Sequence, residues 1–399
     1  MTSFSELGVE PDLVDALADT GINDPFPVQV ATIPDGLAGR DVCCKAPTGS
    51  GKTLAFGLPI LQLVPRAKAR KPKALILAPT RELAEQIATE LGPLGKAIDR
   101  SVAVVYGGVA YGPQKSALQD GAEVLVATPG RLADLVDQGA ADLHDVEYVV
   151  IDEADRMADM GFLHQVRWLV NQTSNDRQTL LFSATLDGDA AVLSHHYQND
   201  PVRHEAESPE SDTSNARHHF WRVEYTDRLT WAAQVIDAAH PTIVFCNTRS
   251  GVDRLARQLE KRDVSVDALH GGRSQRERNR ALEQFIKSKV DALIATDVAA
   301  RGIHVDDVAC VIHWDPSEDS KAYLHRSGRT GRAGAGGLVV SIVQPNLTLS
   351  VHSLRRNLGL DGGLVEPDLA ALANGGGQLI DQTAKPTPRS RSGRRKRLL

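Results

Sequence analysis

Short runs of consecutive apolar residues alternate with amphipathic stretches from about residue 40 of the chain onward. In the first half the runs are DVCCKA, ALILAP, SVAVVYGG, EVLVATPG, YVVIDEAD and TLLFSAT. They are rich in Val, Ile and Leu and lack strict alternation with polar residues, which is typical of strands buried on both faces. Stretches such as RELAEQIATELGPL between them have a helical pattern. This alternation predicts right-handed βαβ units built around a parallel sheet.

The polar segment HEAESPESDTSNARHH interrupts the pattern, and the alternation restarts with PTIVFCNT, SVDALHGG, VDALIATD, VACVIHWD and GLVVSIV. A chain of 399 residues is also too long for one hydrophobic core of ordinary size. After SLRRNLGL the composition turns to Gly, Ala, Pro and Arg, which is typical of disorder. We therefore predict an α/β domain at residues 1–206, a linker at 207–216, a second α/β domain at 217–362 and a disordered basic tail at 363–399.

The composition, with 42% hydrophobic and 24% charged residues, is typical of a soluble globular protein. The opening MTSFSELGVE has no basic segment leading into an apolar run, so we expect no secretory signal. We also expect no membrane association, because no apolar run is long enough to span a bilayer. The cysteines show no metal-ligand or disulfide spacing, which predicts a reducing, cytoplasmic setting: Cys43, Cys44, Cys246 and Cys310. Cys43 and Cys44 lie in a predicted buried strand, where we expect them to be small core hydrophobes.

The net charge of −6 argues weakly against a nucleic-acid partner. The tail KPTPRSRSGRRKRLL, however, is strongly basic and contains no acidic residue. Because phosphate affinity depends on local rather than net charge, the average does not exclude such a partner.

Polar clusters follow nearly every predicted strand of the first domain: APTGSGKT, PTREL, YGG, TPGR, DEAD and SAT. In parallel sheets, ligands bind at the carboxyl ends of the strands, so we expect the chemistry of the protein at this edge.

The first cluster contains a candidate phosphate-binding loop at residues 49–53, between a predicted strand and the apolar stretch LAFGLPILQL. Backbone amides of such a loop, at the N-terminus of a helix, bind phosphates. Lys52 would reach the β- and γ-phosphates, and the Thr53 hydroxyl would ligate Mg²⁺. The general pattern begins with Gly, whereas Ala46 stands there in this chain, so an ordinary Gly-rich turn is the alternative.

The cluster VVIDEAD favours the nucleotide site over that turn, because an apolar strand that ends in acidic residues is the expected partner of a phosphate loop. Asp152 would hold Mg²⁺, partly through water, and Glu153 would orient and activate the attacking water. For the four residues DEAD (152–155) taken alone, the alternative is a solvent-exposed acidic start of a helix.

These motifs, in this order, resemble the DEAD-box ATP-dependent RNA helicases over roughly residues 4 to 340. The phosphate loop of that family commonly reads A-x-T-G-x-G-K-T, which Ala46 to Thr53 fits throughout. The resemblance implies an α/β fold of two tandem RecA-like parallel-sheet domains, with ATP and Mg²⁺ as cofactors and RNA as partner. It also implies RNA-stimulated ATP hydrolysis that drives local, non-processive unwinding of duplexes.

The resemblance assigns an ATP site. Gln29 in PFPVQ would read adenine, since a carboxamide donates and accepts at once. Phe4 would stack on the base, or would merely dock on the domain. The family motif RGID reads Arg301-Gly302-Ile303-His304 here, so the ribose contact of the usual Asp is left open. The remaining nucleotide-binding residues are Thr48, Gly49, Ser50, Gly51, Lys52, Thr53 and Gly302.

The resemblance also assigns catalysis and coupling. Arg329 and Arg332 in HRSGRTGR resemble arginine fingers for the γ-phosphate, and His325 would link the acidic motif to them. The catalytic residues implied by the family are therefore Lys52, Asp152, Glu153, His325, Arg329 and Arg332. The segment SAT would couple hydrolysis to strand separation, with these coupling residues: Asp155, Ser183 and Thr185.

The RNA-binding residues implied by the family lie at strand ends of both domains. Hydroxyls, glycine amides and arginines contact phosphates and sugars, which predicts sequence-independent binding, and contacts to 2′-hydroxyls would select RNA. Each short motif is alternatively a helix cap or a tight turn. The set is Pro79, Thr80, Arg81, Gly107, Gly108, Thr128, Gly130, Arg131, Arg249, Gly271, Gly272, Arg278 and Thr296.

Two other functions stay open. An ATP-gated RNA clamp or scaffold would unwind little, and a P-loop ATPase with a protein substrate would lack the adenine and RNA motifs. Ribonucleoproteins or the decay machinery would be partners of a helicase. The basic tail is an RNA anchor, a solvated charge run or a nuclear signal.

Overall fold

The structure is a computed structural model that describes residues 2–47, 49–206, 216–300, 308–317, 319–331, 336–360, 363–373 and 377–379. It contains two compact units, formed mainly by Met1–Pro209 and by the chain from Glu210 onward.

The first unit is an α/β unit around a seven-stranded sheet with the order β3-β4-β2-β5-β6-β1-β7, in which all neighbouring strands are parallel. Its strands are β1 (Val42–Lys45), β2 (Ala74–Leu77), β3 (Val102–Val105), β4 (Val124–Ala127), β5 (Tyr148–Asp152), β6 (Gln178–Ser183) and β7 (Val202–Glu205). Its helices are α1 (Pro11–Asp19), α2 (Pro27–Leu37), α3 (Lys52–Leu63), α4 (Arg81–Ala97), α5 (Tyr111–Asp120), α6 (Pro129–Asp137), α7 (Ala154–Asp159), α8 (Leu163–Val170) and α9 (Gly188–Tyr197).

The sheet is covered on both faces, which explains why its strands read as continuous apolar runs. Successive strand residues enter two different cores: Cys44 and Ile76 pack in one, and Cys43 and Leu75 in the other. All six apolar runs predicted for this domain form strands, β1 to β6. The predicted buried cysteines are indeed buried free thiols.

The second unit contains a six-stranded sheet with the order β10-β11-β9-β12-β13-β8, again with parallel neighbours. Its strands are β8 (Ala216–Arg222), β9 (Thr242–Cys246), β10 (Val266–Leu269), β11 (Ala292–Thr296), β12 (Cys310–His313) and β13 (Gly337–Val343). Its helices are α10 (Arg228–Ala238), α11 (Arg249–Glu260), α12 (Gln275–Ile286), α13 (Asp297–Ala300), α14 (Ser320–Ser327), α15 (Thr348–Asn357) and α16 (Leu369–Ala373). The prediction of two parallel-sheet α/β domains is confirmed.

The second unit also holds part of the predicted disordered tail. The Val365 amide donates to the Phe220 carbonyl (3.0 Å), and Gln378 exchanges two backbone hydrogen bonds with His218. Leu372 of α16 is buried in the core. The sequence predicts a disordered tail from residue 363, but β8 is an edge strand, and Val365 and Gln378 pair with its open side. The basic residues 380–399 lie outside the described part of the chain.

Among the helices that the structure describes, none combines the length and the apolar character needed to cross a membrane.

Candidate active site

The phosphate loop follows β1 and ends at the N-terminus of α3. Gly49 (φ 83°) and Gly51 (φ 85°) adopt the left-handed backbone conformation that favours glycine. Lys52 and Thr53 open α3 and are each 7% exposed. The free amides and the positive end of this helix favour an anion in front of them. Thr48 lies outside the described residues.

Gln29 connects the predicted adenine motif to this loop. Its Nε2 donates to the Gly51 carbonyl (2.9 Å), and its Oε1 accepts from the Phe26 amide (2.8 Å). The side chain is buried, but each group of the carboxamide can still make one further hydrogen bond. Phe4, in contrast, is 1% exposed and packs in the apolar core, the docked position considered above. Its stacking on adenine stays a prediction.

Lys52 lies between the loop and the acidic motif. Its Nζ donates to the Ala46 carbonyl (3.3 Å) and is 3.9 Å from Oδ1 of Asp152. Burial raises the pKa of Asp152 to about 6, although the positive charge of Lys52 acts in the opposite direction. Ala46 therefore supplies a backbone acceptor to Lys52, and the side chain of Ala46 is not needed for this contact.

Glu153 occupies an unusual backbone position, with φ 51° at the N-cap of α7. Such a conformation is rare for residues other than Gly, Asn or Asp, and it turns the chain sharply after the strand. Oε2 of Glu153 accepts from Nη1 of Arg156 at 2.8 Å, and both side chains are buried. Arg156 was not among the predicted site residues; its position one turn after Glu153 is the sequence signal for this pair.

The three predicted coupling residues lie in contact. The Asp155 amide donates to Oγ of Ser183 (3.1 Å), and Oγ1 of Thr185 donates to Oδ2 of Asp155 (3.1 Å). The end of β6 is thus hydrogen-bonded to the start of α7, beside Asp152 and Glu153.

A cavity of about 190 Å³ brings the phosphate loop and the Asp152–Glu153 pair together. Glu90 of α4 lines it, as does Thr53; burial raises the pKa of this carboxyl, and the polar Thr53 side chain opposes the shift. Sequence reasoning missed Glu90, although Leu83, Gln86 and Glu90 have the spacing of one helix face. The other lining residues are Phe26, Gly49, Gly51, Lys52, Thr53, Asp152 and Glu153.

The donor set at the cavity fits Mg²⁺. Within the described ranges, no group of three or more His, Cys, Asp or Glu residues forms a metal cage. Mg²⁺ in nucleotide enzymes usually needs only one or two protein oxygens, because phosphates and waters complete its octahedron. The Thr53 hydroxyl and the Asp152 carboxylate, which line one cavity, are suitable for that role.

The predicted RNA contacts of the first unit cluster at the carboxyl ends of β2, β3 and β4, which are neighbours in the sheet. Oγ1 of Thr80 accepts a hydrogen bond from the Leu83 amide (3.3 Å) and so caps α4, which is the alternative role expected for this motif. The Arg81 guanidinium lies against Gly108 so closely that a Cβ there would overlap it. Pro79, Gly107 and Thr128 occupy the same strand ends, and Gly130 and Arg131 lie in the first turn of α6.

The second unit repeats this arrangement. Thr248 caps α11 by accepting from the Gly251 amide (3.0 Å), and Arg249 begins that helix. The Arg249 guanidinium lies 3.3 Å from where a Cβ of Gly271 would be, which brings those two predicted contacts together. Gly272 follows them, Arg278 is on α12 and Thr296 ends β11.

Arg326 is the main residue of the second unit that sequence reasoning missed. It forms a two-pronged ion pair with Asp297, with Nε–Oδ1 at 2.6 Å and Nη2–Oδ2 at 2.5 Å. Nη2 also donates to Oδ1 of Asn247 (2.9 Å), and Nη1 to the Asp315 carbonyl (2.7 Å). Three strand ends are thereby tied to α14, which carries His325 and precedes Arg329. Arg332, Gly302 and His304 lie outside the described residues.

The chain has two parallel-sheet units, and one of them carries a phosphate loop beside an Asp-Glu pair at its strand ends. This combination identifies the protein as a P-loop nucleotide hydrolase. Comparison with known proteins narrows this class. The DEAD/DEAH box helicase family matches residues 26–192, and the helicase conserved C-terminal domain matches residues 227–334.

Curated relatives and solved structures agree. The chain is 36% identical to the DEAD-box ATP-dependent RNA helicase CshA of Geobacillus kaustophilus, over 89% of this chain and 76% of that protein. It is 37% identical to the ATP-dependent RNA helicase RhlB of Shewanella oneidensis, over 88% of this chain and 82% of that protein. The structure of S. cerevisiae Dbp5 bound to RNA and ADP BeF3 matches with a TM-score of 0.80 and 26% identity, covering 94% of this chain and 97% of that one. The chain belongs to the DEAD-box ATP-dependent RNA helicases, and its two domains are of the RecA-like type.

Proposed function

We propose that this protein hydrolyses ATP in response to RNA and uses the cycle for local, non-processive unwinding of RNA duplexes or remodelling of ribonucleoproteins. The observation that carries the proposal is one cavity shared by Lys52, Thr53, Asp152 and Glu153, which brings together a phosphate-binding cation, candidate Mg²⁺ ligands and a candidate base for the attacking water.

Each residue has a proposed task. The α3 N-terminus and Lys52 bind the phosphates, and Thr53 with Asp152 would hold Mg²⁺, which when bound neutralises phosphate charge. Glu153 orients the attacking water and accepts its proton. Arg329 and Arg332 stabilise charge on the γ-phosphoryl group, a task worth about 10³–10⁵ in rate.

RNA binding is proposed to rely on backbone contacts at the strand ends of each domain. Such contacts position RNA without reading its bases, which suits a protein that acts on many sequences. The Asp155–Ser183–Thr185 contact supports coupling, because it connects the water-activating segment to a neighbouring strand end.

The decisive experiment compares Glu153→Gln with the wild type. The variant should bind ATP with unchanged affinity and lose turnover, since an amide cannot accept the proton of water. Near-normal turnover would remove Glu153 from its role. Wild-type ATPase should rise with RNA far more than with DNA; equal stimulation would indicate a DNA helicase.

A strand-displacement assay tests unwinding itself. We expect ATP-dependent release of one strand from a short RNA duplex and poor activity on long ones. ATP-dependent retention of RNA with no strand release would instead identify an RNA clamp. Crosslinking of the Glu153→Gln protein to RNA in cells would then identify its target.

A further inference from the structure

An exposed aromatic ring stands among the predicted RNA contacts of the first unit. Tyr111, the first residue of α5, is 37% exposed. The Arg131 guanidinium lies 4.0 Å from the ring centroid, and Nζ of Lys115 lies 5.8 Å from it. The Tyr111 hydroxyl donates to Oδ2 of Asp134 at 3.0 Å. The ring is therefore fixed in place while much of its surface meets solvent.

Arg131, in contrast, is 8% exposed. Its Nη2 donates to the Val109 carbonyl (3.0 Å), and Nη1 is buried with no hydrogen-bond partner among the residues that the structure describes. The guanidinium of Arg131, enclosed beside the ring of Tyr111, presents far less surface to solvent than the ring does. The accessible group at this point is the aromatic ring.

The surroundings of the ring are suited to nucleic acid. The loop between β3 and α5 carries Gly107 and Gly108, and Gln114 braces it through hydrogen bonds to the Tyr106 amide (3.1 Å) and carbonyl (3.2 Å). Arg81, which follows β2 two strands away in the sheet, lies against Gly108. A rigid aromatic ring beside basic side chains and backbone-binding glycines is the arrangement used for single-stranded nucleic acid.

We propose that Tyr111 contacts bound single-stranded RNA directly by stacking on a base, and that Arg131 is a positioning residue that holds the ring and the Val109 loop. The inference rests on the RNA binding proposed above and adds a sequence-tolerant stacking contact to it. Stacking suits this position because a pre-oriented ring loses little conformational freedom when RNA binds.

The test measures RNA affinity of the full chain with a non-hydrolysable ATP analogue, using a fluorescent single-stranded RNA at several salt concentrations. Tyr111→Ala should weaken binding roughly 5- to 150-fold, the equivalent of about 1–3 kcal/mol for one stacked base. Its dependence of log affinity on log salt should equal that of the wild type, because no phosphate contact is lost. Tyr111→Phe should keep most of the affinity, since the ring remains.

Tyr197→Ala is the matched control. Tyr197 also lies beside an arginine, with the Arg177 guanidinium 5.7 Å from its ring, and its hydroxyl donates to the Arg167 carbonyl (3.3 Å). It lies near the amino end of β1, since the Asn199 amide bonds Asp41 just before that strand. Its removal should leave RNA affinity unchanged.

Two results would overturn the inference. Unchanged affinity of a folded Tyr111→Ala protein would exclude the stacking contact. If Tyr111→Ala reduced the slope of log affinity against log salt by about one, the substitution would have disabled a phosphate contact. The RNA contact at this point would then belong to Arg131. A wild-type protein without RNA affinity or RNA-stimulated ATPase would refute the proposed function instead, so the two failures are distinguishable.

Discussion

Arg156 and Glu153 form a buried ion pair, with Nη1 of the arginine 2.8 Å from Oε2 of the glutamate. The pair joins the proposed water-activating carboxylate to the next turn of α7. A side chain that must hold water in line with the γ-phosphate gains from a fixed neighbour, because errors of position near 1 Å can cost about 10²-fold in rate.

Replacement of this neighbour should therefore damage catalysis more than binding. We expect Arg156→Met to lower kcat of the RNA-stimulated ATPase by at least about tenfold, with KM for ATP changed little. The unfolding free energy should fall by about 3 kcal/mol, since Glu153 loses a buried partner. Steady-state kinetics and urea titration check both. The control is Arg167→Met, at an exposed position of α8. An unchanged kcat of the Arg156→Met protein would show that Arg156 does not position Glu153.

The hydroxyl contacts of Asp155 predict an uncoupled enzyme. Combined Ser183→Ala and Thr185→Val remove the acceptor for the Asp155 amide and the donor to its carboxylate, while the cavity that holds Lys52 stays complete. ATPase should stay within a few-fold of wild type, whereas strand displacement should fall at least about tenfold. Equal losses of both activities would show that the contact serves hydrolysis alone. Thr89→Ala, which removes an exposed hydroxyl on α4, is the control.

The strands that the sequence reveals are those buried on both faces. The edge strands β7 and β8 were missed at the borders of the predicted linker, because HEAESPESDTSNARHH begins inside β7 and ends inside β8. β7, with the sequence VRHE, alternates between half-buried and exposed residues. β8 contains polar His218 and His219, which are buried. Apolar runs do not identify strands of this kind.

The predictable part of the site is the part carried by short motifs. Gly49 to Thr53, Asp152 and Glu153 are recognised because their chemistry requires a fixed local spacing. Arg326 and Glu90 were missed because their surroundings are made by residues distant in sequence: Arg326 pairs with Asp297, and Glu90 lines one cavity with Thr53. The RNA contact of Arg131 stays a prediction, but its motif does not reveal that the fold buries it beside the ring of Tyr111.

The ordered part of the predicted tail should stabilise the second domain. A chain that ends at residue 362 loses the buried Leu372 and the backbone pairs that Val365 and Gln378 make with β8. Its unfolding free energy should fall by roughly 2–4 kcal/mol relative to a chain that ends at Leu379. An exposed β8 edge should also promote association of the shorter chain. Urea titration and light scattering check these effects, and equal stability of the two chains would contradict them.

The chain that ends at Leu379 also isolates the role of the basic residues 380–399. If they anchor RNA, this chain should bind RNA more weakly than the full chain and show a flatter dependence of log affinity on log salt. Its ATPase at saturating RNA should equal that of the full chain, since the removed residues include none of the proposed catalytic residues. An unchanged salt slope would rule out the anchor and leave a solvated charge run or a targeting signal.

The buried His313 predicts how the second domain responds to pH. Burial lowers the pKa of His313 well below its ordinary value, and the nearby charge of Arg326 adds to the shift. Its Nε2 lies 3.3 Å from Oγ of Ser327, its Nδ1 lies 3.2 Å from Oγ of Ser317, and its ring stacks on Tyr323. The imidazole is therefore neutral in the folded domain near neutral pH.

Below about pH 6.5 the unfolded chain binds a proton at this residue and the folded chain does not, so acid destabilises the fold. We expect wild-type stability to fall between about pH 7 and 5 more steeply than that of His313→Asn, by at most about 1.4 kcal/mol per pH unit for this one group. The asparagine variant should be less stable at pH 7, because it loses packing against Tyr323. Urea titrations by tryptophan fluorescence report mainly on this domain, since Trp221, Trp231 and Trp314 lie in it. The control is His195→Asn, at an exposed site of the first domain, which should leave the pH dependence of the second domain's unfolding free energy as in the wild type. Equal pH dependences for wild type and His313→Asn would show that His313 takes up its proton without unfolding.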